Sequence, residues 1–294
     1  MSILITGSTG FLGQTLVKYL PNYSITTIGR TNANIIANLA TQIPQLQKTD
    51  LVIHAAGKAH IVPKTQAEKQ DFFDVNVTGT QNLLTALEEN LPQAFLFISS
   101  VAVYGLSKGI LIKENAPLNA QDPYGRSKIQ AEEIITNWCQ KHKVICTILR
   151  LPLLVGENPP GNLGAMIKGI KKGYYFNIAG GLAKKSMVMA IDVALCIEKV
   201  ALIGGIYNLT EGYHPNFKEL SNHIATQLGR KLPFNIPNWI AQLLANIGDV
   251  LGKKSPFNSY KLSKIKADLT FDDSKARKTF GWNPRKVLES FKVS

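Results

Sequence analysis

The chain has 294 residues, 45% of them hydrophobic and 18% charged, and a formal net charge of +13. That length buries one large core, or one core with a smaller lobe, and the composition excludes a disordered or fibrous chain. Three scattered cysteines (Cys139, Cys146, Cys196) have neither disulfide-framework nor metal-site spacing, so they read as buried small hydrophobes and point to a reducing, cytoplasmic setting. No apolar run is long enough for a membrane span. The richest, Met187 to Tyr207, is broken by Asp192, Glu198 and Lys199. The N-terminus already reads as a strand, so no signal peptide is expected.

The first strand, Ser2–Ile5, runs into Gly7, Gly10 and Gly13 at three-residue spacing, and a helix follows over Phe11–Tyr19. Gly7 allows a tight turn, Gly10 lets a pyrophosphate approach the backbone, and Gly13 lets the helix pack closely on a sheet. The helix start offers free N–H groups and a positive dipole end to phosphates. Further β-rich runs fall at Ser24–Ile28, Leu51–His54, Ala94–Ser99 and Val144–Leu149, with helical patterns at Phe72–Glu89 and Tyr124–Lys141. This alternation predicts an α/β, Rossmann-like, doubly wound parallel sheet. Such sheets bind ligands beyond the strand C-termini, where Ala55-Ala56-Gly57, Ser99-Ser100 and Leu151-Pro152 all fall.

After Pro152 the pattern is less regular: a loop at Glu157–Asn162, a basic helix at Leu163–Lys172, and an apolar stretch at Met187–Leu202 expected to return to the sheet. The division expected is a dinucleotide-binding unit over 1–155, its sheet completed by part of 187–210, and a smaller C-terminal substrate lobe over 156–294 interleaved with it. Pro237–Lys254 reads as an amphipathic helix. Its expected role is covering the substrate lobe; contact with an anionic membrane surface is the alternative. Lys and Arg outnumber Asp and Glu by 13 to 10 over residues 1–150 and by 20 to 10 over 151–294, so the second half suits an anionic ligand. No recognition motif for nucleic acid is present.

Tyr124 and Lys128 stand at i and i+4 of one predicted helix, on one face. A phenol titrates near ~10, and a neighbouring ammonium or a cationic ring favours its ionised form. Ser100, at a strand end, offers a hydroxyl to a substrate oxygen.

Taken together these motifs resemble the extended short-chain dehydrogenases/reductases, the family of nucleotide-sugar epimerases, dehydratases and ketoreductases. The likeness rests on Thr6–Gly13, Val52–Gly57, Asn76–Thr80, Ser99-Ser100 with Val103-Tyr104-Gly105, Tyr124–Lys128, Arg150–Pro152, Asp273–Ala276 and Gly281–Pro284. The resemblance implies that Tyr124 is the acid/base, that Lys128 holds the nicotinamide ribose, that Ser100 positions the sugar oxygen, and that Asn76 orders the active-site helix. Around the cofactor it implies Gly7, Thr9, Gly10, Phe11, Leu12, Gly13, Arg30, Ala55, Ala56, Gly57, Asn76, Ser99, Leu151 and Pro152. For the substrate diphosphate it points to Asn162, Lys185 and Arg277, with Lys184 nearby; His60 is a pocket cap or a structural histidine.

Two positions depart from the family pattern. Gly29-Arg30 replaces the acidic residue that NAD-preferring members carry after the second strand, which favours NADP over NAD. Leu153 stands where 4-epimerases often have Asn. The resemblance therefore points to a surface-polysaccharide ketoreductase acting on a nucleotide-linked 4-keto hexose. A 4-epimerase with retained NAD is the alternative, and a non-catalytic NADP-binding regulator a more distant one. It also implies a homodimer through the Phe72–Glu89 and Tyr124–Lys141 helices.

Overall fold

The computed structural model describes residues 1–59, 61–251 and 257–293. In chain order the elements are β1 (Ser2–Thr6), α1 (Phe11–Tyr19), β2 (Ser24–Gly29), β3 (Ile35–Ile36), β4 (Leu51–His54), α2 (Gln66–Phe73), α3 (Gly79–Ala86), β5 (Ala94–Ser100), β6 (Gly109–Ile112), α4 (Pro123–His142), β7 (Ile145–Leu151), β8 (Leu153–Val155), α5 (Gly161–Lys171), β9 (Phe176–Ile178), β10 (Met187–Met189), α6 (Ala190–Val200), β11 (Gly205–Asn208), α7 (Phe217–Gln227), β12 (Phe234–Ile236), α8 (Asn238–Leu251), α9 (Ser259–Lys266), β13 (Leu269–Phe271), α10 (Ser274–Phe280) and α11 (Val287–Ser290).

Seven parallel strands form the main sheet in the order β3-β2-β1-β4-β5-β7-β11. The order reverses between β1 and β4, so a crevice opens beyond their C-terminal ends, the position where doubly wound sheets hold dinucleotides. Its central strands are near-continuous apolar runs because both faces are covered. Alternate residues divide between the faces. Ile3, Ile5, Ile53, Leu96 and Leu149 pack with Leu16 of α1 and Val193 and Ile197 of α6. Leu4, Val52, Phe95, Phe97 and Ile148 pack with Leu83 of α3 and Ala131, Ile135 and Trp138 of α4. A separate cluster of Leu163, Met166, Met187, Leu220, Ile224 and Phe291 fills the space between α5, α7 and the C-terminal segment.

Three expectations need correction. The Phe72–Glu89 segment is not one helix: α2 and α3 are joined by a π-helical turn at Asp74–Thr78. That turn contains Asn76, only 2% exposed, whose side chain bonds outside the helix, and the widened turn re-aims it. The Met187–Leu202 stretch does not itself join the main sheet. Met187–Met189 pairs with β8, α6 follows, and the returning strand is Gly205–Asn208 beside β7. The Pro237–Lys254 helix does pack on the lobe, but through small residues: α8 buries Ala241, Ala245 and Gly248, the two alanines against Ile178, Ile236 and Leu262, and leaves its large apolar residues mostly outward. Lys253 and Lys254 lie outside the described residues.

Candidate active site

The opening turn is built for close approach. Gly7 has φ +74°, and a Cβ there would stand 2.6 Å from the Ala56 nitrogen. A Cβ on Gly13 would lie 2.0 Å from the Gly7 carbonyl oxygen, so only glycine lets α1 start this near β1. A Cβ on Gly10 meets nothing nearer than the Gly7 oxygen at 3.2 Å, which leaves its outer side open. Gly10 caps α1 without a side chain, so the first-turn N–H groups have no side-chain acceptor. Ser8 adds a buried hydroxyl with no partner. Free N–H groups, an orphan hydroxyl and a bare glycine turn at a positive helix end fit a dinucleotide pyrophosphate. Thr9 is exposed at this turn and its carbonyl accepts from Gln14. Phe11 is half-buried against Gly156, and Leu12 is in the core.

A buried hydrogen-bond chain ties this turn to the helices opposite. The Ala56 N–H donates to Thr6 Oγ1 at 3.1 Å, Thr6 meets His54 Nδ1 at 2.6 Å, His54 Nε2 meets Thr80 Oγ1 at 2.9 Å, and Thr80 donates to the Asn76 carbonyl at 2.6 Å. Thr80 has spent its hydrogen on the Asn76 carbonyl, so it accepts from Nε2–H. Burial keeps the ring neutral, and a neutral ring protonated at Nε2 accepts the Thr6 hydrogen at Nδ1. Burial, with the Lys128 charge adding to it, lowers its pKa to about 3. Below the ordinary value of 6.5 the unfolded chain takes up a proton that the native imidazole refuses, so stability falls as pH drops from 6.5 towards 3. Thermal midpoints measured from pH 7 to 4 will show this slope, and it will be shallower in His54→Gln.

Asn76 carries the connection onward. Its Oδ1 accepts from the Lys58 N–H at 2.7 Å, and its Nδ2 donates to Ser127 Oγ at 2.8 Å. Ser127 in turn donates to the Tyr124 carbonyl at 2.8 Å. One amide therefore fixes both the loop after β4 and the first turn of α4. That helix begins at Pro123 with Asp122 accepting from the Gly125 N–H at 3.0 Å. A Cβ on Gly125 would sit 2.4 Å from that of Ala120, so this glycine lets α4 start tightly against the loop before it.

Tyr124 and Lys128 lie one turn apart on α4, and Ser100 ends β5 beside Tyr124. Ser100 Oγ accepts from the Ala102 N–H at 3.1 Å. Burial pushes the Tyr124 phenol above its ordinary value near 10, while the Ser100 hydrogen bond pulls the other way. Lys128, buried, donates to the Ile98 carbonyl at 2.9 Å and lies 4.4 Å over the Phe97 ring. Burial lowers its pKa to about 8, with Glu132 opposing. A Cβ on Gly57 would come within 3.3 Å of the Lys128 ammonium. The lysine therefore faces the loop after β4, beside the switch-point crevice.

Ser99 differs from the expectation. The residue is 3% exposed and its hydroxyl donates to Glu132, so its side chain belongs to the layer beneath the site. Leu151 is buried at the end of β7 and Pro152 half-buried. Ala55 belongs to the edge of the core. Arg30 is exposed just after β2, in no ion pair among the described residues, and no carboxylate occurs between it and Asp50.

The substrate-side residues are less gathered. Asn162 is exposed in the first turn of α5. The Lys185 ammonium donates to the Ala267 carbonyl at 2.8 Å and the Lys264 carbonyl at 3.3 Å, closing the end of α9. Arg277 forms a two-pronged pair with Asp273 at 2.8 and 2.9 Å. Both cations already have protein partners. Lys184 is exposed, and His60 lies outside the described residues.

Sequence reasoning missed Glu132, Ser127, Thr80 and Ser8. Glu132 is the most consequential, pairing with Arg150 at 2.7 Å where both side chains are nearly sealed from water.

The seven-stranded parallel sheet with its glycine turn at the switch point is a Rossmann-like architecture of the short-chain dehydrogenase type. Residues 3–209 match the NAD dependent epimerase/dehydratase family, and the chain belongs to it. It is 29% identical to N-acetyl-alpha-D-glucosaminyl-diphospho-ditrans,octacis-undecaprenol 4-epimerase of Escherichia coli O157:H7, over 93% of this chain and 88% of that one. It is 27% identical to a Vibrio cholerae UDP-glucose 4-epimerase, over 99% of this chain and 93% of that one. Among solved structures, the UDP-N-acetylglucosamine 4-epimerase from Bacillus cereus superposes with a TM-score of 0.73 at 22% identity, over 98% of this chain and 92% of that one.

Proposed function

We propose that this protein reduces a 4-keto hexose carried on a diphosphate, taking hydride from NADPH. The observation that carries the reading is Arg30, exposed just after β2 with no carboxylate between it and Asp50, a setting that suits the 2′-phosphate of NADPH; Tyr124, beside Ser100 and one turn from Lys128, is placed to act as the acid. The nicotinamide, when bound, supplies the hydride. Ser100 keeps its oxygen oriented through the Ala102 N–H and turns its own hydrogen towards the keto oxygen. Tyr124 gives its proton to that oxygen as negative charge develops there. Lys128 holds the ribose hydroxyls and, as a cation, stabilises the phenolate left behind. The glycine turn, Ser8 and the start of α1 hold the pyrophosphate, and Arg30 takes the adenosine 2′-phosphate. Asn162, Lys185 and Arg277 remain the proposed grip on the substrate diphosphate; the last two would first have to exchange their present partners. The protein is further proposed to act in the cytoplasm as a homodimer.

The second reading, a 4-epimerase that retains NAD, is favoured by the names of relatives matching nearly the full chain. In that case the sugar carrier is a nucleotide or a polyprenol diphosphate. Liquid chromatography that resolves 4-epimers, coupled to mass spectrometry, of a panel of nucleotide sugars and their 4-keto derivatives incubated with each cofactor separates the two. Stoichiometric NADPH consumption with a product two mass units heavier supports reduction. Interconversion of isomers with no net cofactor turnover overturns it in favour of epimerisation. Arg30→Ala will weaken NADPH binding about tenfold or more and leave NADH binding unchanged, the loss of one charge-assisted contact. An unaltered NADPH/NADH affinity ratio in titration would remove Arg30 from the cofactor site.

A further inference from the structure

Helix α8 is amphipathic in the inverse sense. Its protein-facing positions, Ala241, Ala245 and Gly248, are small, and its large apolar residues point to solvent. Val250 is 88% exposed, Trp239 69%, Leu243 54% and Ile247 50%. Core packing would reverse this arrangement, because burying Leu, Ile and Trp is where a helix gains most from leaving water. Beside it runs an apolar groove of about 380 Å³, floored by Ile178 and Ile236 and walled by Leu244, Ile247 and Leu251. Helix α9 packs next to α8, with Lys261, Lys264 and Lys266 exposed on it. The Lys264 ammonium lies 4.4 Å over the exposed Tyr260 ring.

The charge of the face selects what covers it. On α8 and α9 the lysines Lys261, Lys264 and Lys266 stand against the single carboxylate of Asp249. Asp249 is already accepting from the Ser259 N–H at 3.1 Å. A second copy of the chain docked through a two-fold axis would bring these lysines against their own copies. Apolar residues and aromatics rimmed by lysines instead match the interface of an acidic membrane, where side chains enter the headgroup boundary and ammonium groups meet lipid phosphates.

We propose that the α8–α9 face docks on the surface of an anionic lipid bilayer, with Trp239, Leu243, Ile247 and Val250 inserted and Lys261, Lys264 and Lys266 against the headgroups. No helix among the described residues is long and apolar enough to cross the bilayer, so the contact is peripheral. The inference is independent of the reaction catalysed, since it is read without substrate or cofactor.

Flotation of the full chain with vesicles tests it. The chain will float with phosphatidylcholine vesicles containing phosphatidylglycerol, and partition about tenfold or more weakly into phosphatidylcholine alone. Ile247→Glu/Val250→Glu, both outward-facing, will keep the thermal midpoint and lose about tenfold or more of the anionic partition. Lys264→Glu/Lys266→Glu will weaken binding at low salt and converge with the unaltered chain at high salt. No flotation with anionic vesicles, or equal flotation of all three proteins, overturns the proposal. So does light scattering in which Ile247→Glu/Val250→Glu halves the particle mass, because the face would then join two copies of the chain.

Discussion

Tyr124→Phe will lower turnover by about 10²–10⁴-fold while leaving cofactor affinity and the thermal midpoint close to those of the unaltered protein. The substitution removes one oxygen. Its neighbour Ser100 keeps its bond from the Ala102 N–H. The ring stays against Phe72, their centroids 6.2 Å apart. Nothing in the glycine turn is touched, and a fluorescence titration with the dinucleotide will therefore give an unchanged Kd. The expected signature is a fall in kcat, because the lost proton donor acts only as charge develops on the substrate oxygen. Unchanged turnover would remove Tyr124 from the chemistry, and with it the reading of this chain as a catalyst of the proposed kind.

The parts of the fold that were legible in the sequence are those whose signal is local. Ile3-Leu4-Ile5 before three glycines announces β1, the turn and α1 because each step is fixed within a few residues. The spacing of Tyr124 and Lys128 sets them on one face of α4, although the helix starts at Pro123, capped by Asp122, one residue before the predicted Tyr124. The π-helical turn at Asp74–Thr78 leaves no such trace. The apolar spacing from Phe72 to Leu87 fits an ordinary helix, and the inserted residue is accounted for only by bonds from Asn76 to Lys58, 18 positions away, and Ser127, 51 away. The same holds for His54, whose hydrogen bonds reach Thr6 and Thr80 at separations of 48 and 26 residues. Helix α8 misleads for another reason: periodicity reports that two faces differ, but not which one the protein covers. On the substrate side, Lys185 and Arg277 are visible as charges in sequence, yet their partners at Ala267 and Asp273 emerge only when the lobe is assembled.

Glu132→Ala will destabilise the fold by about 3–5 kcal/mol, the cost of leaving a buried guanidinium without its counter-charge. Arg150 donates to Glu132 at 2.7, 3.1 and 3.3 Å, to the Tyr104 hydroxyl at 3.1 Å and to the Glu114 carbonyl at 3.0 Å. Tyr104 donates onward to Asn208 Oδ1 at 2.8 Å, and the Asn208 N–H to Glu114 Oε1 at 2.9 Å. One ion pair thus joins α4, β7, β11 and the turn after β5. With the carboxylate gone, Arg150 keeps neutral partners only, and Ser99 loses the acceptor for its hydroxyl. Replacing both members together, Glu132→Leu with Arg150→Met, will recover much of the loss, since two apolar side chains carry no desolvation debt. Urea unfolding of the two single variants and the double gives the coupling directly, with a double variant more stable than Glu132→Ala as the expected result. Activity will not follow stability back. Glu132 is one turn beyond Lys128 and also accepts from Ser99, the neighbour of Ser100. A stable double variant with impaired turnover would show that this pair serves to position the site above it; full recovery of both would reduce it to a structural clamp.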